Sequence, residues 1–287
     1  MAKFKYSKVW YAVLFLLLAN VAAAATTRQF TRRDYGQLHF FDVGQGDAVY
    51  YRTAAGNDIL IDAGPGDAVL SKLGRVMPFW DRQLELVILT HPHADHISGM
   101  VEILGRYKVK AVILPDAEHN SEVYKTLLSE LQARAIKIVR PRLGQRIFLD
   151  EQSVFDVYYP ILSEFANQPK DINDVSVVGR LSFGKINVLL TGDAGRDIEK
   201  LLSRLGLPLQ AEIFKVGHHG SRHSSSAEFL KAASSSYAVI SVGKNSYGLP
   251  HEEVLGLFQN SVTKLLRTDE EGDIRFDIYP DKIVLSK

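Results

Sequence analysis

Leu84-Glu85-Leu86-Val87-Ile88-Leu89-Thr90-His91-Pro92-His93-Ala94-Asp95-His96-Ile97-Ser98-Gly99 is the stretch on which the reading of this chain turns. Leu86 to Leu89 are apolar and β-branched enough to form a buried strand. Directly after them come His91, His93, Asp95 and His96. That spacing does not fall on one helical face, unlike paired histidines at i and i+4. A loop leaving the strand's carboxyl end is therefore expected to aim these side chains at one point. Imidazoles with a carboxylate suit zinc, and a catalytic zinc keeps one position open for water. A solvated His-rich turn explains three His and one Asp in six residues poorly.

Working outward, strands are expected at Gln37 to Val43 and Asp47 to Arg52, joined by the turn Gly44-Gln45-Gly46. A third, Asn57 to Ile61, ends in Asp62-Ala63-Gly64-Pro65-Gly66, and Leu70 to Met77 reads as a helix. A helix at Ile97 to Arg106 follows the His-rich loop. Strand then helix recurs at Ala111 to Leu114 and Glu122 to Ala135, where apolar residues keep helical spacing. Further strands are expected at Ile136 to Val139, 153–159 and 175–182, the last two separated by the polar loop Ser163 to Asn173. Ile186 to Leu190 ends in Thr191-Gly192-Asp193, and Glu212 to Val216 ends in Gly217-His218-His219-Gly220. The chain closes with a helix at Ala227 to Ala233, a strand at Tyr237 to Val242, a helix at Glu252 to Gln259 and a hairpin around Glu271-Gly272. Six of the nine histidines thus sit at His91, His93, His96, His218, His219 and His251, and five of the six follow a strand's end. A metal centre is the economical cause.

The N-terminus reads as an address. Lys3, Lys5 and Lys8 precede an apolar run from Val9 to Ala19, and small residues through Ala25 offer a cleavage site. Residues 1–25 are expected to be a signal peptide, with an uncleaved N-terminal anchor as the alternative. The run is short of the ~20 residues a spanning helix needs. Losing those three lysines takes the formal net charge from +1 to −2, which counts against a protein that grips nucleic acid along an extended surface. There are no cysteines, hence no disulfides, thiolate ligands or lipidated cysteine. One large domain, residues 34–287, is the natural reading. The basic cluster Arg134, Lys137, Arg140, Arg142 and Arg146 reads as a solvated face.

His91-Pro92-His93-Ala94-Asp95-His96 resembles the HxHxDH signature of the metallo-β-lactamase superfamily. More narrowly, four stretches resemble the hydrolase domain of ComEC-type competence DNA-uptake proteins. They are Phe41-Asp42-Val43-Gly44-Gln45-Gly46-Asp47-Ala48, Leu190-Thr191-Gly192-Asp193, Lys215-Val216-Gly217-His218-His219-Gly220-Ser221 and Tyr247-Gly248-Leu249-Pro250. The resemblance implies an α/β fold, an αββα sandwich of two mixed sheets flanked by helices, with two divalent metal ions at one edge. Zinc is the first expectation and manganese the alternative. It implies that His91 and His93 hold one metal, that Asp95, His96 and one imidazole of His218-His219, by preference His219 over His218, hold the other, and that Asp193 bridges them. Asp95, His218 and His251 are expected in catalysis, and Asn173, Ser176 and Lys215 in substrate contact.

No His lies between His119 and His218, so the third imidazole many relatives place near Asn173 is missing. Leu249 stands where relatives carry His, a loss for which His251 is expected to compensate. Asp62 is the best candidate to orient a ligating His. Asp42 and Asp47 read as turn or supporting residues, and His39 and His119 as incidental. The expected function is an exported phosphodiesterase or nuclease, periplasmic or secreted, acting through a metal-bridging hydroxide on a phosphodiester such as DNA. A membrane is expected as a partner only if residues 9–25 are retained. The alternatives are an amide or lactone hydrolase, including β-lactams, or a non-catalytic periplasmic DNA-handling protein.

Overall fold

The computed structural model describes residues 10–19, 33–161, 171–259 and 261–286. Most of the expected signal segment 1–25 and most of the polar loop from Ser163 to Asn173 lie outside the described residues. Residues 10–19 form helix α1. Among the described residues no helix is long and apolar enough to cross a membrane.

Two large sheets lie face to face. The first runs through β1 (Gly36–Phe40), β2 (Val49–Arg52), β3 (Asp58–Ile61), β5 (Leu86–Ile88), β7 (Ala111–Ile113) and β8 (Lys137–Val139). Its three leading strands are antiparallel, and β3, β5, β7 and β8 are parallel. A short pair, β4 (Gln83–Leu84) with β6 (Lys108–Val109), sits beneath. Helices α2 (Ala68–Val76), α3 (Ala94–Leu104) and α4 (Glu122–Ala133) join the parallel strands and cover the outer face. The second sheet runs β9 (Arg146–Phe148), β10 (Ser153–Tyr159), β11 (Val178–Phe183), β12 (Ile186–Leu190), β13 (Ile213–Lys215), β14 (Tyr237–Ile240) and β15 (Lys264–Arg267). It too is antiparallel through β12 and parallel from β12 to β15. Its outer face carries α5 (Arg196–Arg204), α6 (Ala227–Ala233) and α7 (Glu252–Gln259).

Strands buried on both faces read as continuous apolar runs, which is why β5, β7 and β12 stand out in the sequence. Leu38, Phe40, Ile88, Phe155, Val188, Ile213 and Phe276 fill the layer between the sheets. The chain's end departs from expectation. Glu271 closes a helical turn, α8 (Thr268–Glu271), and β16 (Ile274–Ile278) crosses back to pair with β1 in the first sheet. The hairpin lies further on, between β16 and β17 (Ile283–Ser286). Its turn is Tyr279-Pro280-Asp281-Lys282, and Tyr279 N–H donates to Lys282 O. The strand expected at 175–182 begins only at Val178, because Ile172 to Val175 wind into a 3-10 turn.

Candidate metal centre

Every predicted ligand lies at one end of the sandwich, beyond the carboxyl ends of β3, β5, β12 and β13. The helix after β5 begins earlier than expected. His93 is its N-cap, and Asp95 and His96 occupy the first turn of α3 rather than a free loop. Three contacts stitch that turn to its neighbours. Ala63 N–H donates to His96 O at 2.7 Å, Gly99 N–H to Gly64 O at 3.0 Å, and Asp47 N–H to Asp95 O at 3.3 Å. Gly99 is required here, since a Cβ would overlap Ala63 O and Gly66 O. In the second sheet the approach is different. His218 and His219 are consecutive non-glycine residues in the left-handed region, at φ 46° and 52°. Such residues are uncommon and store strain, and they cluster at functional sites.

The ring nitrogens are sorted by their partners. Asp62, itself at φ 57°, accepts from Thr90 N–H and from the Thr90 hydroxyl at 2.7 Å each, and lies 2.8 Å from His96 Nδ1. With its proton committed to Asp62, Thr90 Oγ1 is left to accept from His91 Nδ1, 3.1 Å away. His219 Nδ1 lies 2.8 Å from the Ser241 carbonyl, to which it donates. All three imidazoles therefore present Nε2 to the centre, a tautomer assigned from this network. His93 offers the other nitrogen: its Nδ1 lies 3.1 Å from His91 Nε2.

Asp193 Oδ2 lies 3.3 Å from His96 Nε2, 3.5 Å from His219 Nε2 and 3.8 Å from His91 Nε2. Asp95 Oδ2 is 3.3 Å from His219 Nε2 and 3.8 Å from His96 Nε2. His91, His96 and Asp193 bring ligand atoms within 4.8 Å of one another, as do Asp95, His96 and His219. Among the described residues, His96 Nε2, His219 Nε2 and Asp193 Oδ1 are buried without a hydrogen-bond partner, a costly arrangement unless cations complete it. The donor set fits divalent metal ions.

The charges agree. Burial raises Asp193, but His96 and His219 outweigh it and hold the carboxyl well below its usual range. Burial first, and then the neighbouring His96, push His91 well down, keeping it neutral as a ligand must be. His96 is drawn the opposite way, its burial overcome by Asp193 and Asp62.

Beneath the cluster lies a layer that sequence reasoning assigned differently. Lys215 was expected to touch substrate, but it is 2% exposed and its Nζ lies 2.6 Å from Asp47 Oδ2. The same ammonium donates to Gly192 O and Val216 O, both at 3.2 Å. Asp47 Oδ1 in turn lies 3.5 Å from His219 Nδ1, so the pair supports the ligands from below. Ser176 is fully buried and its hydroxyl accepts from Asp193 N–H at 3.1 Å, positioning that loop instead of lining the cleft. Asn173 is also enclosed, with Oδ1 unpaired among the described residues. His251 sits at the start of α7, where its Nδ1 accepts from Glu253 N–H at 3.2 Å. Local capping, not the cleft, takes that ring.

The cleft over the cluster measures about 800 Å³. His93, Asp95, Asp193, His218 and His219 form its floor, and Lys244, Asn245 and Tyr247 one wall. Asn245 holds that wall with four hydrogen bonds of 2.8–3.1 Å, donating to Gly243 O and Leu249 O and accepting from the N–H groups of Tyr247 and Leu249. The turn residues of Tyr247-Gly248-Leu249-Pro250 signal this loop, though not its place over the His/Asp cluster. His119, read as incidental, has its ring centroid 5.8 Å from that of His93.

Two facing mixed sheets, flanking helices and a His/Asp cluster at one edge are matched by a sequence profile described as metallo-beta-lactamase superfamily, over residues 41–244. The chain belongs to the metallo-β-lactamase superfamily. It is a metal-dependent hydrolase of that fold. Among curated relatives, it is 29% identical over 272 residues to ComE operon protein 3 of Bacillus subtilis, covering 85% of this chain and 34% of that one. Recombination protein 2 of Haemophilus influenzae is 28% identical, covering 88% of this chain and 30% of its own length. Competence protein ComA of Neisseria gonorrhoeae is 29% identical, with 83% and 32% covered. The chain thus spans about a third of the relatives it matches. Among solved structures, the metallo-β-lactamase-fold protein YhfI of B. subtilis superposes with a TM-score of 0.53 at 13% identity, covering 83% of this chain and 98% of YhfI. CmlA, a diiron β-hydroxylase of Streptomyces venezuelae, gives 0.55 at 12% identity, with 88% and 54% covered. Both solved structures share the fold of this chain.

Proposed function

We propose that the protein is an exported phosphodiesterase, acting on a nucleic-acid strand end or a comparable diester. The observation that carries this is the wall of the cleft. Lys244 and an aromatic ring 77% exposed, Tyr247, stand on a fixed loop directly over the His/Asp cluster. A cation suits a phosphate and an exposed ring suits a base. The competence and recombination names of the relatives agree with a nucleic-acid substrate, and the apolar run after Lys8 supports export.

His91 and His93 would hold one divalent cation, and Asp95, His96 and His219 the other, with Asp193 between them. When bound, two such ions would supply charge neutralisation and a nucleophile drawn from water at neutral pH. The chain's own contribution is positional. Asp62 fixes Thr90 and His96, and the Ser241 carbonyl fixes His219, so the Nε2 atoms need no reorganisation. His218, half-open to the cleft with its Nε2 4.0 Å from Asp193 Oδ2, is placed to hold a proton beside the leaving oxygen. Lys244 orients the diester's unreactive oxygens.

Metal-loaded protein assayed with bis-p-nitrophenyl phosphate, single-stranded DNA and nitrocefin tests the reading. Turnover of both phosphodiesters without nitrocefin cleavage is expected. Lys244→Ala should raise KM for DNA by about tenfold with kcat nearly held, the signature of lost uniform binding. Nitrocefin cleavage without phosphodiester turnover would replace this reading with carbonyl chemistry.

A further inference from the structure

The end of the sandwich opposite the metal centre carries an unusual surface. Between α2 and β4 the chain exposes Phe79 and Trp80, 82% and 58% accessible, their rings edge-to-face at 4.8 Å. Soluble surfaces seldom present two adjacent large aromatics this way. Cations surround them for a topological reason. Strands β5, β7 and β8 all start at this end, and α2 and α3 finish there. Arg75, Arg82, Arg106, Lys108 and Lys137 stand at those termini, and each is exposed. Of the nearby carboxylates, Asp81 pairs with Arg52, Glu85 with Lys110 and Glu130 with Arg134, while Glu102 in the last turn of α3 is exposed.

The apolar N-terminal segment joins the domain at this same end. Arg33 N–H donates to Ala54 O at 2.9 Å, just beyond β2. Arg52, the last residue of β2, pairs in register with Gln37 of β1 and lies 3.7 Å from Asp81, next to Trp80. Residues 20–32 are thus the only tether between the Trp10-to-Ala19 segment and the face that bears Phe79 and Trp80. Thirteen residues can span at most roughly 45 Å. Whenever that segment lies in a bilayer, the domain is held within that reach of the lipid, with the tether leaving from this end.

We infer that this end of the domain rests on an anionic lipid surface, with Phe79 and Trp80 at headgroup depth and the metal cleft facing away. Trp and Phe favour the interfacial zone, and surrounding Lys and Arg add attraction to anionic headgroups. A nucleic-acid strand would also meet the cations. The two rings, edge-to-face at 86°, offer it no shared platform on which successive bases could stack.

The chain has only two tryptophans, Trp10 and Trp80. In the full chain carrying Trp10→Phe, Trp80 is therefore the sole indole reporter. With vesicles of phosphatidylcholine and phosphatidylglycerol, its emission should shift to the blue and become quenchable by brominated acyl chains. Lys108→Gln should weaken this response about fivefold, the effect of one surface cation. Pure phosphatidylcholine should give the weakest response. An indole that stays as open to iodide with anionic vesicles as without them would overturn the proposal. A shift produced by single-stranded DNA and not by vesicles would overturn it in favour of a nucleic-acid face.

Discussion

The two sheets place their site residues in equivalent slots and secure them by different means. Strands β1, β2, β3, β5, β7 and β8 of the first follow the same sequence of antiparallel then parallel neighbours as β10 to β15 of the second. Asp62 follows β3 as Asp193 follows β12, and the His91 loop follows β5 as the His218 loop follows β13. In the first sheet the loop runs straight into a helix, and a buried carboxylate, Asp62, orients Thr90 and His96. In the second sheet two left-handed residues make the turn, and a backbone carbonyl, Ser241 O, orients His219. Asp193, in the slot that matches Asp62, faces the centre itself. One half depends on side-chain chemistry for its geometry, the other on backbone conformation.

The largest effect is expected where the halves meet. Asp193→Ala removes the oxygen that faces His91, His96 and His219 together, and should lower kcat by about a thousandfold or more. Metal analysis should find fewer than two ions per chain while far-ultraviolet circular dichroism is retained. Full turnover with two ions bound would remove Asp193 from the shared position.

Next come the close approaches. Gly99→Ala drives a Cβ into two carbonyl oxygens of the Asp62 loop and should cost about 3 kcal/mol in urea unfolding. Gly217→Ala meets its nearest atom, Ala194 O, at 3.2 Å, and should cost no more than about 1 kcal/mol. Equal costs would contradict the difference in how tightly the halves are set.

Acid should find the first sheet. His39 is buried between Phe41 and Tyr50, and burial, aided by Arg275, lowers its pKa to about 4. The unfolded chain takes up a proton near 6.5 that the folded chain refuses until about 4. Stability therefore falls as pH drops through that window, by about 2–3 kcal/mol between pH 7 and 4.5. His39→Phe should flatten that part of the profile in urea titrations at the two pH values.

The smallest effects separate the two supports. Asp62→Asn should weaken metal binding by about 10- to 100-fold in a chelator competition, because one of the two acceptor oxygens that serve Thr90 and His96 becomes a donor and the charge is lost. Ser241→Ala leaves the carbonyl in place and should change it by less than about twofold. A matching loss in both would show that the second half also relies on a side chain.

Much of this was legible because strand ends in an α/β sheet announce themselves. Strand-like runs at Leu86 to Leu89, Ile186 to Leu190 and Glu212 to Val216, each with His or Asp within three residues of its end, point to candidate ligands on one edge. Asp62 was readable as a supporting carboxylate from its Gly-rich turn. Lys215 was not, because a lysine in an apolar run looks like a substrate contact until its partner, Asp47, is known from far away in sequence. Ser241's contribution is a backbone carbonyl and carries no residue signature. The start of α3 was misplaced because His93 caps without a side-chain hydrogen bond, leaving no Ser, Thr, Asp or Asn to mark it. The terminal hairpin was set at the wrong turn, since Glu271-Gly272 ends a helical turn that the local sequence also permits.

The return of β16 and β17 to the first sheet governs the order in which the molecule can be completed. A chain made from its N-terminus has every ligand through His219 while β1 still shows an unpaired edge on its outer side, which β16 later fills. Open edges invite pairing with other chains. The newly made protein is therefore most prone to aggregate just before its last fifteen or so residues arrive, after all the metal-site residues are present. Truncation after Gly272 should leave the cluster's sequence intact and still yield insoluble protein.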